Sequence, residues 1–330
     1  VDGGTTGNVT LNVGAGTGDV APIPSIGEAT IAGYSHGGVR TWPTINNVID
    51  KFPYASQTNA TDVGDLTHTF YFTAGASSGT NGYAFASSPI NDAKSNVVNK
   101  YSHTTDGNAT DHGDLFHALN SNSSVGISDQ GNQNGYCVTG GYVHSIPIHY
   151  TTIQKFAFSS NTTATNAGDL LSRRNEAVGA SSQTHGYIAG GYDRAVPPTN
   201  VMNATIEKYS FATETDAASI GTITTPRANQ AGCSSETHGY QSGGSTISSG
   251  MFSTIDRWSF ASDGNAVGHG DLTKSYQGNT ACSSVSYGYS LGGQSPETNT
   301  IERFAFSSNT TATDWADLTV IKVYASTSQV

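Results

Sequence analysis

A Gly-Tyr pair recurs six times along the 330 residues of this chain, at nearly constant intervals. The glycine of the pair stands at positions 33, 82, 135, 186, 239 and 288, so the intervals are 49, 53, 51, 53 and 49 residues. A regular period of about 50 residues is typical of repeat architectures, in which each repeat is one supersecondary unit. The chain is therefore expected to be a series of similar units rather than a pair of unrelated domains.

Each repeat carries the signals of four short strands. Gly-Gly follows the Gly-Tyr pair in every copy except the second, and a strand-like segment such as IEKYSF (206–211) comes next. A Gly-Asp-Leu turn (64–66 in the first copy) and a run of small residues (232–235 in the fifth) complete the unit. Four strands in about 50 residues are typical of a β-propeller blade, whose innermost strand faces a crowded channel and favours small residues.

The two chain ends bear on the number of blades. Residues 320–330 match the innermost strand of a blade, and residues 1–24 resemble a shortened blade that lacks this strand. The sequence therefore predicts one all-β domain over residues 1–330, a propeller of four-stranded blades. It has six clear repeats starting near 33, 82, 135, 186, 239 and 288, and a degenerate seventh blade that both termini close. The alternative is a six-bladed ring with an N-terminal arm.

Charge and composition exclude several classes of partner. The net charge is −11, and the chain has no cluster of Lys and Arg of the kind that phosphate contacts require. We therefore expect no nucleic-acid binding. No apolar run approaches the ~20 residues of a membrane-spanning helix, so membrane insertion is not expected. The odd number of cysteines (Cys137, Cys233 and Cys282) is not a disulfide framework, and we interpret all three as packing residues.

The sequence lacks a catalytic constellation. No Ser-His-Asp spacing, paired catalytic carboxylates or phosphate-binding loop stands out, and the Asp of Gly-Asp-Leu recurs with the repeat. We therefore predict that the protein is not an enzyme and has no cofactor or metal. His144 and His149 do not follow the repeat, but no third metal ligand accompanies them.

Function is expected where the repeat is broken, in the loops between the second and third strands. These loops vary most in length and should share one face of the disk. Aromatic side chains with a few polar groups suit contact with a glycan or a protein. The predicted binding residues are Arg40, Trp42, His144, His149, Tyr150, Tyr192, Arg194 and Phe252.

Several segments resemble a known family of repeats. SRRNEAVGASSQTHGYIAGGY (172–192) with ATIEKYSF (204–211) resembles kelch repeats. NVIDKFPYASQTNATDVGDLT (47–67) is similar to kelch-like repeats of virion structural and tail-associated proteins from phages of marine bacteria. The resemblance covers about residues 33–330. Kelch repeats usually carry a Trp after the third strand, whereas Trp258 lies within that strand, so the match is to a divergent branch.

The resemblance implies a location in the virion, with other virion proteins as partners, a host surface glycan as a ligand and copies related by the symmetry of a particle. The resulting hypothesis is a non-enzymatic phage virion protein (a decoration, tail or fibre propeller) that acts as an interaction and host-glycan-recognition platform. The alternative is a secreted or surface carbohydrate-binding adhesin or lectin of a bacterium. A kelch-type secreted oxidase is less favoured, because Cys233 and Cys282 occupy equivalent positions in adjacent repeats and so look structural.

Overall fold

The structure is a computed structural model that describes residues 31–85, 95–119, 125–138, 150–193, 201–246 and 250–329. Within these ranges all regular secondary structure is β-strand. The strands up to residue 169 are β1 (Ala32–His36), β2 (Val39–Thr41), β3 (Thr44–Ile45), β4 (Val48–Pro53), β5 (Thr61–Asp65), β6 (Ala74–Ser77), β7 (Asn81–Phe85), β8 (Ser95–Ser102), β9 (Thr110–Leu119), β10 (Val125–Asp129), β11 (Asn134–Val138), β12 (Thr152–Ala157) and β13 (Thr165–Asp169).

The strands after residue 169 continue the same pattern. They are β14 (Val178–Ser181), β15 (His185–Ala189), β16 (Tyr192–Asp193), β17 (Val201–Met202), β18 (Thr205–Ser210), β19 (Ala218–Thr222), β20 (Ala228–Ser234), β21 (His238–Ser245), β22 (Phe252–Ser259), β23 (Val267–Tyr276), β24 (Thr280–Ser283), β25 (Tyr287–Leu291), β26 (Thr300–Ala305), β27 (Thr313–Asp317) and β28 (Ser326–Gln329).

Six four-stranded antiparallel sheets form the blades of a β-propeller. In order from the channel outwards, blade 1 is β28-β1-β4-β5, blade 2 is β6 to β9, and blade 3 is β10 to β13. Blade 4 is β14-β15-β18-β19, blade 5 is β20 to β23, and blade 6 is β24 to β27. The innermost strands contact one another in the cyclic order β28, β6, β10, β14, β20, β24 and back to β28. The all-β propeller predicted from the repeat is therefore confirmed.

The C-terminal segment closes the ring on the first repeat. β28 pairs with β1 in the register Tyr34↔Ser328 and Ser35↔Thr327. The predicted assignment of this segment to an innermost strand is confirmed, but the blade that it completes is blade 1 and not a seventh blade. The described residues thus form six blades, as in the alternative reading. Residues 1–24, the other half of the predicted seventh blade, lie outside the described residues.

The alternation of strand direction gives the disk two faces. The loops between second and third strands, and the connectors from one blade to the next, lie on one face, which we call the loop face. The turns between first and second strands and between third and fourth strands lie on the opposite face, which we call the turn face. The predicted binding residues that the structure describes lie in or beside segments that connect strands on the loop face: Arg40, Trp42, Tyr150, Tyr192 and Phe252.

A ring of small residues sets the width of the channel. In each blade, one residue of the innermost strand pairs with the residue that follows the Tyr of the Gly-Tyr pair. We call these six residues the constriction. A Cβ at Gly126 would lie 1.9 Å from the carbonyl oxygen of Gly75, and a Cβ at Gly75 would lie 2.2 Å from that of Thr327. The neighbouring backbone occupies the space of a side chain, so adjacent innermost strands can approach this closely only at glycine. The constriction comprises Gly75, Gly126, Gly179, Gly232, Ala281 and Thr327.

The Gly-Tyr pair fills the interface between blades. The Tyr83 ring stacks on Phe158 of the next blade at 4.5 Å, and Tyr240 stacks on Phe306 at 4.6 Å. A Cβ at Gly239 would lie 2.4 Å from the indole of Trp258 on the adjacent strand. The glycine therefore makes room for one aromatic ring while the tyrosine covers another, which explains why the two residues recur together.

In blades 1, 4 and 6 the Gly-Gly doublet is hydrogen-bonded to the connector that leads into the next blade. Gly190 and Gly191 have φ angles of 65° and 87°, a conformation that favours glycine. The N–H of Gly191 donates to the carbonyl of Arg227 at 2.8 Å, and Gly38 donates to Phe70 at 2.7 Å in the same way. The doublet thus ends the second strand with a hydrogen bond between blades.

In blades 1, 4, 5 and 6 a buried polar pair links the connector that enters the blade to the third strand of that blade. In blade 4 the Arg174 guanidinium is bonded to Glu207, and the side chains are 0% and 1% exposed. In blade 5 Arg227 contacts Asp256 at 2.8 Å. Blade 2 has Phe70 and Asn99 at the same two positions, and the Asn99 amide oxygen accepts from the Thr67 N–H. In blades 4 and 5 a cation on the connector is paired with a carboxylate on the third strand. In blade 2 the same two positions hold a neutral ring and an amide.

We expect Arg174→Phe to lower the free energy of unfolding by about 3–5 kcal/mol, because it leaves the Glu207 carboxylate buried without a cation. The double variant Arg174→Phe/Glu207→Asn reproduces the blade 2 pair and should recover most of that loss. Lys51→Ala removes a surface ion pair to Asp106 (2.9 Å) and should change stability by less than about 1 kcal/mol. Urea unfolding measures all three variants. A double variant no more stable than Arg174→Phe would contradict this account of the pair.

Candidate functional site

The structure places the predicted binding residues in different environments. Arg40 and Trp42 are exposed in the β2–β3 hairpin of blade 1, and Tyr150 lies before β12, partly buried. Phe252 begins β22 and is also partly buried, whereas Tyr192 is buried in β16. His144, His149 and Arg194 lie outside the described residues.

The β2–β3 hairpin presents an exposed indole on a fixed base. Val39 and Ile45 at its two ends are buried, and Val39 exchanges backbone hydrogen bonds of 2.8 and 2.9 Å with Val323. At the tip the side chain of Trp42 is 66% exposed. Its ring meets Tyr71 edge-on at 5.7 Å. Because these hydrogen bonds fix the base of the hairpin, the backbone that carries Trp42 has a defined position.

An aromatic series runs from this hairpin to the mouth of the channel. Behind Trp42, the Tyr71 ring contacts Phe72 at 5.1 Å, and Phe72 contacts Tyr324 at 4.1 Å. The Tyr324 hydroxyl donates to Gln294 Oε1 at 3.3 Å. Burial, with a smaller contribution from Glu176, raises the pKa of Tyr324 to about 12, so the hydroxyl remains a neutral donor at neutral pH. We call Trp42, Tyr71, Phe72 and Tyr324 the aromatic series.

A ring of backbone hydrogen bonds forms the rim of the mouth. Phe72 N–H donates to Tyr324 O (2.8 Å), Tyr324 to Gly278 O (2.7 Å), Gly278 to Asn229 O (2.8 Å) and Asn229 to Glu176 O (3.1 Å). All five residues have φ between 50° and 65°. The side chains also interact along the rim, where Asn229 Nδ2 donates to Glu176 Oε2 at 2.6 Å. The rim is thus a continuous hydrogen-bonded structure around at least five blades.

The channel itself encloses little space. Between the rim and the constriction lies a cavity of about 150 Å³, and beyond the constriction lies another of about 100 Å³. Pockets that enclose a small-molecule ligand usually measure roughly 300–1,000 Å³. A ligand larger than a few water molecules would therefore be contacted on the surface of the disk and not inside the channel.

Tyr150 belongs to a second aromatic group on the loop face. Its ring is parallel to that of His117, with centroids 4.2 Å apart, and the adjacent Phe116 is 53% exposed. Burial lowers the pKa of His117, which keeps the imidazole neutral near pH 7. This group lies next to the segment 139–149, which contains His144 and His149 and is outside the described residues.

Tyr192 and Phe252 make contacts that stabilise their own blades. The Tyr192 backbone exchanges hydrogen bonds of 2.8 and 2.9 Å with Asn175, and this pairing fixes the loop of blade 4. The Phe252 ring covers the Arg227 guanidinium at 5.4 Å. Neither residue joins the aromatic series. Of the five predicted residues that the structure describes, it brings together only Arg40 and Trp42, which share a hairpin. The sequence analysis missed Tyr71, Phe72 and Tyr324.

Apolar exposure is concentrated on the loop face. Among the described residues, four of the eight large hydrophobic side chains with high exposure belong to its loops and connectors (Trp42, Leu171, Val201 and Met251), and Phe116 lies in β9 toward its loop-face end. They come from different blades, so they are separate exposed residues and not one apolar patch.

Two further features concern the function classes considered above. No group of three or more His, Cys, Asp or Glu residues is arranged to hold a metal in the part of the chain that the structure describes. The same part contains no helix that is long and apolar enough to span a membrane. The three cysteines are buried and form no disulfide.

The fold and the site define a six-bladed β-propeller with an aromatic loop face. No protein-family model matches the sequence of this chain. A search of curated proteins also found no relative with significant similarity.

Proposed function

We propose that this propeller is a non-enzymatic recognition module that binds surface glycans through its loop face. The observation that carries the proposal is the exposed indole of Trp42 on a hairpin whose base is paired to blade 1. Sugar rings present apolar C–H faces that pack on aromatic rings, and their hydroxyls need polar partners nearby. An aromatic platform that is ordered before binding also reduces the entropy lost on association.

Polar groups next to Trp42 suit the hydroxyls of a sugar. Arg40 is exposed on the same hairpin, and Thr41 Oγ1 lies 3.5 Å from Glu297 Oε2 of blade 6. Gln294, which accepts from Tyr324, belongs to the same blade 6 loop. Donors and acceptors from blades 1 and 6 therefore lie along the hairpin and the aromatic series, and the small channel cavity supports binding on the surface.

We further propose that the module is part of a phage particle, where other virion proteins are its partners and the host surface carries the glycan. This assignment rests on the resemblance of the repeats to those of virion proteins. Mass spectrometry of purified phage particles tests it, because a structural component should be present in a fixed number of copies per particle. A chain secreted by a bacterium and absent from particles would favour the adhesin alternative.

We expect Trp42→Ala to weaken glycan binding by about 10- to 30-fold, the effect of losing an aromatic contact of about 1.4–2 kcal/mol. The labelled propeller is first screened on an array of bacterial surface polysaccharides and their oligosaccharides. The dissociation constants of the variants are then measured with a ligand from the array. Trp42→Phe should retain most of the affinity, since it keeps an aromatic face.

Val285→Ala is the matched control, because Val285 is an exposed apolar residue on the turn face. It should bind as the wild type does. Equal affinity of Trp42→Ala and the wild type would remove the hairpin from the site. If the wild-type protein bound no glycan on the array, the glycan proposal would be wrong, whereas the virion assignment would still depend on the particle analysis.

A further inference from the structure

Two buried histidines contact the closing strand β28. His36 of β1 pairs with it inside blade 1, and His103, which follows β8, faces it from blade 2. Neither position holds a residue that titrates near neutral pH in another blade. The equivalents of His36 are Phe85, Val138, Ala189, Ser242 and Leu291, and those of His103 are Tyr54, Phe158, Phe211, Phe260 and Phe306.

Both imidazoles bond directly to side chains of the closing strand. His36 Nδ1 lies 2.9 Å from Ser326 Oγ, and His103 Nε2 lies 3.0 Å from Ser328 Oγ. Ser328 Oγ is also 2.5 Å from the Tyr101 hydroxyl. Ser326 and Ser328 alternate with Thr327, so two of the three serine and threonine side chains of β28 depend on a histidine.

The second nitrogen of each imidazole is buried without a partner among the described residues. His36 Nε2 and His103 Nδ1 have no hydrogen-bond acceptor, although the side chains are 0% and 5% exposed. A neutral imidazole needs no acceptor at its unprotonated nitrogen. An imidazolium donates from both nitrogens, so a proton added here would leave a buried donor and a buried charge unsatisfied.

The surrounding charges also oppose protonation. The buried Lys322 ammonium, which pairs with Asp50 at 3.2 Å, faces His36. Burial lowers the pKa of both histidines to about 3, and Lys322 adds to this for His36, as Lys51 does for His103. The titratable and charged groups that face the pair from the elements packed against it are Lys322, Asp50, Tyr101, Tyr34, Lys51 and Asp106.

The strand that these histidines hold is short. β28 has four residues and pairs with β1 alone. Short elements open with a smaller free energy than long ones, because fewer contacts are lost with them.

We propose that His36 and His103 make the closing strand an acid-sensitive latch, so that their protonation releases Ser326–Gln329 from β1. Release frees the inner edge of β1 and breaks the non-covalent pairing between β28 and β1 that closes the ring. This inference is independent of the proposed glycan binding, because the latch lies in the interior and not on the loop face.

The sign of the pH dependence follows from the direction of the shifts. In the released state the histidines return toward their ordinary pKa of about 6.5, whereas in the closed ring both have a pKa of about 3. The released state therefore binds more protons between these values. Closure is fully stable above about pH 6.5 and weakens as the pH falls toward 3, by up to about tenfold per pH unit for each histidine.

The native thiols report on opening. Cys282 of β24 lies beside the closing strand, whereas Cys137 lies in blade 3, and both are buried. Modification by 4,4′-dithiodipyridine is followed by peptide mass spectrometry between pH 7.5 and 4.5, with each rate divided by that of the denatured chain at the same pH. We expect the normalised rate at Cys282 to rise at least about 30-fold from pH 7 to pH 5, while Cys137 stays protected.

The variant His36→Leu/His103→Phe introduces residues that sister blades carry at these positions, and it should abolish the rise at Cys282. His103→Phe alone should remove part of it, which keeps the test informative if the double variant does not fold. His269→Ala is the control, since His269 is buried at the blade 5–6 interface and its pKa is also lowered. It should leave the rise at Cys282 unchanged. Equal exposure of Cys137 and Cys282 at every pH, or an unaltered rise in the variants that fold, would overturn the latch.

Discussion

Gly126→Val is expected to destabilise the ring by at least about 4 kcal/mol, enough to abolish folding of a marginally stable chain. The Cβ at this position would lie 1.9 Å from the carbonyl oxygen of Gly75 and 2.8 Å from its nitrogen. Backbone cannot rotate away as a side chain can, so β10 and β6 would have to separate. Since the six innermost strands form a closed ring, one pair can separate only if the others also adjust.

Gly268→Val is the matched control for this substitution. A Cβ at Gly268 would meet no atom within 4 Å, and the residue lies in β23 on the outer edge of blade 5. We expect a change of less than about 1 kcal/mol, because valine is favoured in strands. Urea unfolding of the two variants measures the difference. Equal stability of Gly126→Val and Gly268→Val would show that the innermost strands are not packed as closely as the structure has them.

Removal of the closing strand, by a chain that ends at Ala325, is expected to prevent formation of a stable ring. The truncation leaves the inner edge of β1 unpaired and opens a gap between β24 and β6. It also removes the bond from Thr327 Oγ1 to the Ala281 carbonyl at 2.5 Å and the Ser326 contact with His36. Exposed strand edges of this kind pair with other chains, so we expect soluble aggregates in size-exclusion chromatography and loss of a cooperative unfolding transition.

Addition of the missing segment in trans separates this effect from a general loss of stability. The peptide STSQV (326–330) should restore a monomeric, cooperatively unfolding protein, whereas a scrambled peptide of the same composition should not. A truncated chain that remained monomeric and as stable as the intact protein would show that β28 does not close the ring.

The blades could be predicted from the sequence because their defining contacts are local. The residues of Gly-Tyr, Gly-Gly and the alternating third strand contact residues of the same repeat or of the next one. Gly239, for example, packs against Trp258 of its own repeat. The number of blades could not be predicted in the same way. Ser35 pairs with Thr327, which is almost 300 residues away in the sequence. The residue pattern of either segment predicts a strand but does not predict which strand it pairs with.

The candidate site was predicted only in part, for a similar reason. Trp42 was found because its loop departs from the repeat. Tyr71 and Phe72 precede an innermost strand, where the fourth repeat has Asn175 and Glu176, and an alignment of the connectors would have revealed two aromatic residues at the channel mouth. Tyr192 was predicted as a binding residue from its aromatic side chain. The structure shows it buried, because its backbone pairs with the connector at Asn175.

The buried polar pairs show how the repeats differ without losing the fold. Arg174 with Glu207, Tyr276 with Glu302 and Phe70 with Asn99 occupy the same two positions in three blades. A cation is paired with a carboxylate in the first and a neutral ring with an amide in the third, whereas in the second a neutral hydroxyl donates to the carboxylate. Such compensation is visible in one sequence once the positions are known to be in contact, but the spacing alone does not identify them.

The central claim is that a six-bladed ring is closed by the C-terminal strand on the first repeat, and a disulfide between β1 and β28 tests it most directly. Ser35→Cys/Thr327→Cys places two thiols at directly paired positions, whose Cα separation in an antiparallel sheet suits a disulfide. Ala281→Cys/Ser290→Cys, the same pair of positions inside blade 6, is the control. The account predicts that both variants form an intramolecular disulfide under mild oxidation, detected by peptide mass spectrometry. A disulfide in the control pair but none between residues 35 and 327 would contradict it.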